Sequence, residues 1–79
     1  MDPVAVADII LQGIVSNPEA LRIERRDDPD AIRLGVQVDP DDVGKVIGKQ
    51  GRTINAIRTV LRAAGAKQRE PIYLDLLND

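Results

Sequence analysis

The chain contains no cysteine, no histidine, no tryptophan and no phenylalanine, and its single aromatic residue is Tyr73. Without cysteine neither a disulfide framework nor a thiolate metal site can form, and without histidine the commonest general base and metal ligand is missing. Most catalytic designs fall away, so the expectation is a protein that is no enzyme and carries no metal and no cofactor. Long apolar runs are lacking too: none approaches the roughly 18 residues of a membrane span. No basic-then-apolar leader precedes a cleavage site, and a cytoplasmic protein that engages no membrane is expected.

What remains suits one small domain over residues 1–79. Apolar residues make up 43 % of the chain and charged residues 30 %, a globular balance rather than a disordered one. A core of this size is small relative to its surface, so a partner that buries more area would add stability. The net charge of −2 is unevenly spread. Residues 43–69 hold seven cations (Lys45, Lys49, Arg52, Arg58, Arg62, Lys67 and Arg69) and no acid, while the rest of the chain holds four cations and thirteen acids. An ordinary solvated helix face intermixes Glu with Lys, so this block points to a local anionic partner such as a phosphate backbone.

Asp2 can cap a helix with Pro3 at its first position, and Val6, Ile9, Ile10, Gly13 and Ile14 follow at helical spacing, which predicts an amphipathic helix to about Ser16. Asn17-Pro18 then breaks the chain. Leu21, Ile23 and Arg25 alternate with Arg22, Glu24 and Arg26 as a short strand. Asp27-Asp28-Pro29-Asp30 supplies turn chemistry, and Ile32, Leu34, Val36 and Val38 alternate as a second strand. The two make an antiparallel hairpin whose acidic turn reads as a solvated loop, not a metal site. Asp39-Pro40 repeats the capped, proline-led entry, with Asp42 in the first turn where the helix dipole favours an anion. A short helix with Val43, Val46 and Ile47 on its buried side runs to about Ile47. Gly48 and Gly51 interrupt it, and a second helix buries Ile54, Ile57, Leu61 and Ala64, with Gly65 as a left-handed cap. Ile72, Leu74 and Leu76 alternate in a last strand that begins at Pro71.

The stretch from Val46 to Ile54 sets a four-residue turn, Gly48-Lys49-Gln50-Gly51, between two apolar helical segments. Two glycines remove the side chains that would hold a phosphodiester away from the peptide backbone, and they permit dihedrals that other residues resist. The turn ends at a helix N-terminus, where unpaired amides and the positive dipole end favour phosphate. Lys49 and Arg52 add mobile cationic donors, Lys45 precedes them, and Ile47 and Ile54 could wall a groove for unstacked bases. A Gly-x-x-Gly turn alone is a weak signal, because any helical hairpin can turn on glycines. Its position after a hairpin and a short helix, inside the only acid-free block, gives it weight.

Val46 to Ile54 resembles the I-G-x-x-G-x-x-I core of the KH family, and the order of elements over nearly the whole chain is similar to that family's type II, bacterial arrangement. Within it, the run from Val43 to Arg58 on a bare domain of this size most resembles a small single-domain bacterial branch. The resemblance implies an α+β fold in the order α-β-β-α-α-β. It also implies a three-stranded mixed sheet with the helices on one face, the strand at 32–38 being central and parallel to the last. Single-stranded RNA is the implied ligand, about four nucleotides per domain, held by Lys45, Ile47, Gly48, Lys49, Gln50, Gly51, Arg52 and Ile54. Pairing is implied as well, as a homodimer or with a larger KH-containing partner, together with a link to RNA regulation and cell envelope growth. In such a domain the acidic turn at 27–30 borders the groove and would repel RNA.

Other readings fit less well. Gly44 to Lys49 has three residues between its glycines where a phosphate loop has four, and Gln50 replaces the magnesium-binding Ser or Thr, so no nucleotide or other small-molecule substrate is expected. Asp39, Asp41 and Gly44 echo a calcium loop, but Val43 occupies a ligand position and Gln50 stands where a bidentate Glu belongs. One ring cannot build an RRM or OB surface, which stacks bases on several aromatics, and Tyr73 reads as a strand-surface residue.

The second helix carries a further expectation. With Ile54 at 0°, Leu61, Ile57 and Ala64 fall at about 340°, 300° and 280°, enough to face a sheet. Val60, Ala56 and Ala63 extend the apolar stripe to about 240°, 200° and 180°, more than one sheet can cover. Isolated surface apolars are common, yet small residues at 56 and 63 would let another helix approach around Val60. A dimer interface at Ala56, Val60 and Ala63 is expected. A second reading therefore stands beside RNA binding, in which the scaffold serves mainly to dimerise and RNA contact is secondary.

Overall fold

The alternating segment around Ile32, Leu34 and Val36 becomes the middle of the sheet. In the computed structural model, which describes residues 2–78, strands β1 (Arg22–Asp28), β2 (Ala31–Gln37) and β3 (Ile72–Leu76) lie in the order β1-β2-β3. β2 runs antiparallel to β1, with Ile23 opposite Val36, and parallel to β3, with Ile32 opposite Ile72. A parallel neighbour demands a crossover connection. It is supplied by α2 (Val43–Ile47) and α3 (Arg52–Gln68), while α1 (Pro3–Gln12) precedes the sheet. Ile32, Leu34, Val36, Ile72 and Leu74 meet Ala7, Leu11, Val46, Ile54, Ile57 and Leu61 in one core, so all three helices cover the same face. The α+β class, the order α-β-β-α-α-β and the mixed three-stranded sheet are as expected. On the bare face the Arg33 guanidinium lies 5.0 Å from the centre of the Tyr73 ring. Among the described residues no helix is long and apolar enough to cross a membrane.

Several local expectations are corrected. α1 is capped by the Asp2 carboxylate, which accepts the Val4 N–H at 3.0 Å. However, it ends at Gln12 instead of near Ser16, and its inward line is Pro3, Ala7 and Leu11. Ile9, expected inside, is 74 % exposed. Apolar residues occupy most positions of this helix, so spacing alone does not select the face that the sheet and α3 accept.

The early end of α1 has a cause in Asp42, whose carboxylate accepts the N–H of Ser16 and of Asn17, each at 3.0 Å. These bonds draw the chain out of the helix. Asp42 does stand in the first helical turn, that of the short 3₁₀ segment Pro40–Asp42, but it is also a buried clamp, 1 % exposed. The Ser16 and Asn17 amides, and then Lys45, hold its carboxyl below the usual carboxylate range.

The hairpin turn is tighter than the four residues 27–30. The strands pair out to Asp28 opposite Ala31, leaving Pro29-Asp30 as the link. Arg25 holds Asp27 at 2.9 Å, and Asp28 takes both Arg33 at 2.8 Å and Arg26 at 3.2 Å. These ion pairs keep two aspartates in strand conformation, and Arg33, then Arg26, lower the Asp28 pKa.

In α2, Val46 is fully buried but Ile47 is 37 % exposed, because one further residue rotates about 100° off the inward line. Gly65 is not a cap. α3 runs on to Gln68 and ends in a Schellman motif, in which the Glu70 N–H donates to Gly65 O at 2.9 Å and the Arg69 N–H to Ala66 O at 3.2 Å. Arg69 itself takes the left-handed conformation, with φ of 60°. Gly65 is needed for close approach, since a Cβ there would run into Glu70 O and lie 3.2 Å from Ile72 Cγ1.

Candidate nucleic-acid interface

Between α2 and α3 the chain takes positive φ at three of four residues, two of them left-handed helical. Gly48 has φ 76° and ψ 171°, Gln50 has φ 59°, and Gly51 has φ 76° and ψ 12°. α2 closes with the Gly48 N–H on Gly44 O at 2.8 Å, and the Gly51 N–H then bonds Gly48 O at 3.1 Å. At Gly48 both dihedral and space require glycine, because a Cβ would strike the Thr53 side chain and lie 2.8 Å from the Thr53 nitrogen. At Gly51 the requirement is conformational alone. Thr53 therefore serves the shape of the turn.

The turn presents a bare backbone flanked by exposed Lys49, Gln50 and Arg52. Gln50 accepts a long hydrogen bond, 3.4 Å, from Arg52 Nη2. No side chain caps the N-terminus of α3, so the positive end of its dipole is left to a ligand.

The sequence-selected residues separate into groups. Gly48, Lys49, Gln50, Gly51 and Arg52 form one continuous turn, in which Lys49, Gln50 and Arg52 are exposed and the two glycines half-buried, with the partly exposed Ile47 at its edge. Ile54 is only 7 % exposed and anchors α3 in the core. Lys45 is turned away: its Nζ donates to Ser16 Oγ and sits 3.7 Å from the buried Asp42 carboxylate. On the far flank of α3, Val60 is 48 % exposed and Ala56 and Ala63 are exposed.

The sequence profile described as "KhpA/KhpB, KH domain" matches residues 5–76. The chain belongs to the KhpA/KhpB KH-domain family. It is 42 % identical to the RNA-binding protein KhpA of Halalkalibacterium halodurans over 69 residues, covering 87 % of this chain and 91 % of the relative. It is 38 % identical to the RNA-binding protein KhpA of Bacillus subtilis over 69 residues, 87 % of this chain and 85 % of the relative. With the RNA-binding protein KhpA of Streptomyces coelicolor the identity is 45 % over 58 residues, 73 % of each chain.

In this KhpA/KhpB-type domain the surface beside the glycine turn includes residues that motif reasoning left out. Asn55, Arg58 and Arg62 follow Gly51 at helical spacing along one line of α3. Arg58 Nη1 donates to Asn55 Oδ1 at 3.3 Å, and its Nε donates to Leu74 O on the open edge of β3 at 3.0 Å. Arg58, Arg62 and Ile72 to Asp75 line a cleft of about 130 Å³ between helix and strand edge. The cationic block of the sequence held the signal, but its periodicity relative to Gly51 had to be followed to find this line.

Charge is sorted across the molecule. Every acid–base ion pair among the described residues involves Arg25, Arg26, Arg33 or Lys45. Lys49, Arg52, Arg58, Arg62, Lys67 and Arg69 have no acidic partner there. The acidic turn does not border the glycine loop. Ile32 pairs with Ile72 and its N–H donates to Pro71 O at 2.9 Å, so Pro29-Asp30 lies at the C-terminal end of α3. The loop lies at the other end, about 25 Å away along a 17-residue helix.

Proposed function

We propose that this chain binds single-stranded RNA, with the phosphates of about four nucleotides held against Gly48-Lys49-Gln50-Gly51. The observation that carries this reading is the conjunction at the turn: glycine backbone at positive φ, an uncapped 17-residue helix N-terminus, and cations without acidic partners among the described residues. The names of the KhpA relatives, each an RNA-binding protein, support it. Bases lie in the cleft between α3 and the β3 edge, where Arg58, Ile72 and Leu74 supply contact without an aromatic stack. The protein acts by binding and not by catalysis, as a cytoplasmic post-transcriptional regulator or RNA chaperone with a KhpB-like partner, in a process tied to cell envelope growth.

The test is Lys49→Asp with Gln50→Asp. Both residues are exposed at the tip of the turn, so circular dichroism and melting should match wild type, while binding of a fluorescent single-stranded RNA is lost. Unchanged affinity in the folded variant would remove the turn from the binding site. A second reading, a dimerisation module with secondary RNA contact, is favoured by the exposed Val60 between two exposed alanines.

A further inference from the structure

The line Gly51, Asn55, Arg58, Arg62 does not end with the cleft beside β3. Continued at about 100° per residue it reaches Arg69, just past the end of α3, in register with Arg62 to within about 20°. A second cleft opens there, about 310 Å³ in volume, lined by Arg62, Gly65, Ala66, Arg69, Glu70 and Pro71. Arg62 is common to both clefts, which makes them one surface. Ala66 and Pro71 give this end an apolar wall; Arg62 and Arg69 give it two cations that make no ion pair among the described residues, beside one acid, Glu70, in the same lining.

A helix C-terminus ordinarily repels phosphate through its bare carbonyls. Here the Schellman motif occupies two of them, Gly65 O and Ala66 O, with the amides of Glu70 and Arg69. Arg69 is kept in the left-handed conformation although glycine is the usual occupant. From Gly51 to Arg62 is about 16 Å along the helix and to Arg69 about 27 Å.

We infer that the cleft of Arg62, Ala66, Arg69 and Pro71 is a second subsite, which binds the nucleotides of the same single-stranded RNA that flank the segment held at the glycine turn. The inference rests on the RNA-binding reading above. The strand leaves the turn, follows Arg58 and Arg62, and is held again at Arg69. Glu70 in the wall of the cleft, and the turn acid Asp30 beyond it, end the cationic track.

The test compares tetranucleotide and octanucleotide RNA of one composition on wild type and on Arg69→Gly, since Arg69 lines the second cleft and not the first. Glycine relieves the left-handed position, so the variant folds. For wild type, the slope of log affinity against log salt should be about 1.4 steeper for the octamer, two more phosphates at roughly 0.7 each. This readout is insensitive to the number of registers in which a short site can sit on a longer strand. In the variant the octamer slope should fall by about 0.7, the share of the phosphate at Arg69, with tetramer affinity within twofold of wild type. Equal slopes for the two lengths on wild type, or an octamer slope that survives in the variant, would overturn the second subsite while leaving the turn in place. Loss of binding to both lengths in the Lys49→Asp, Gln50→Asp variant, together with retained tetramer binding in Arg69→Gly, separates the two sites. If wild type binds neither length, the reading on which this one rests fails first.

Discussion

Two glycines in helices should respond to alanine with opposite signs. Gly44, exposed in α2, has no atom within 4 Å of where a Cβ would stand. Gly44→Ala therefore gains helix propensity unopposed, about 0.5–1 kcal/mol. Gly65, buried in α3, has the same propensity to gain, but its Cβ would strike the Glu70 carbonyl and sit 3.2 and 3.3 Å from Ile72 Cγ1 and N. Two of these atoms are backbone, and the carbonyl lies inside the turn fixed by the Glu70 N–H on Gly65 O. The junction between α3 and β3 must shift, at a cost of about 1–3 kcal/mol for overpacking. After the propensity gain, Gly65→Ala should be destabilising by about 0.5–2 kcal/mol. In a domain of this size each kcal/mol moves the melting temperature by about 4–8 °C. Thermal melts followed by circular dichroism should show Gly44→Ala a few degrees above wild type and Gly65→Ala several degrees below it. Equal stabilisation by both substitutions would refute the claim that close approach of the β3 entry requires Gly65.

Two further outcomes are expected. The Asp42 carboxyl is held below its usual range by the Ser16 and Asn17 amides, and then by Lys45. Its contribution is therefore complete above about pH 4 and is lost as pH falls below that through the folded-state value. Melting temperatures from pH 7 downward should fall more steeply below pH 4 for wild type than for Asp42→Asn, and parallel curves would count against the clamp. For the pairing surface, light scattering should show a dimer at micromolar concentration that Val60→Asp converts to a folded monomer, because a two-fold axis would oppose the two new charges. A mutant that stays dimeric would remove α3 from the contact.

The elements that could be read from the sequence are those whose signal is local. Strict alternation from Ile32 to Val36 identified a strand, whose central place followed only from the family resemblance, and Asp2-Pro3 marked the start of α1. What spacing could not supply was the innermost line of α1, because Val4, Val6 and Ile10, which pack partly against the core, and the exposed Ile9 outnumber the fully buried Ala7 and Leu11. Asp42 showed its helix-start position but not its clamp, because the amides it holds, those of Ser16 and Asn17, are some 25 residues away. Gly65 resembled a cap for a similar reason: its neighbour Glu70 O becomes close only once the chain turns back into β3. At the candidate site the glycine turn is contiguous and was visible as a string of letters. The Arg58 contact with Leu74 O joins residues on two elements and needed coordinates.

The segregation of charge also bears on how the protein meets a polyanion, a kinetic question. A chain of net charge −2 is repelled as a whole, yet its cations lie along α3 beside β3 while the paired acids of the hairpin begin at β1, two strand spacings or about 10 Å across the sheet. At a physiological Debye length of about 8 Å an approaching strand senses mainly the nearer row. At 0.01 M salt the screening length is about 30 Å, comparable to the longest dimension of the molecule, 35 Å, and the strand then senses the acids as well. Dilution of salt should therefore accelerate association less than counterion release alone predicts, and the log–log plot of on-rate against salt should flatten at its low end. The molecule would behave as an oriented dipole, turned by the field of the RNA so that α3 arrives first.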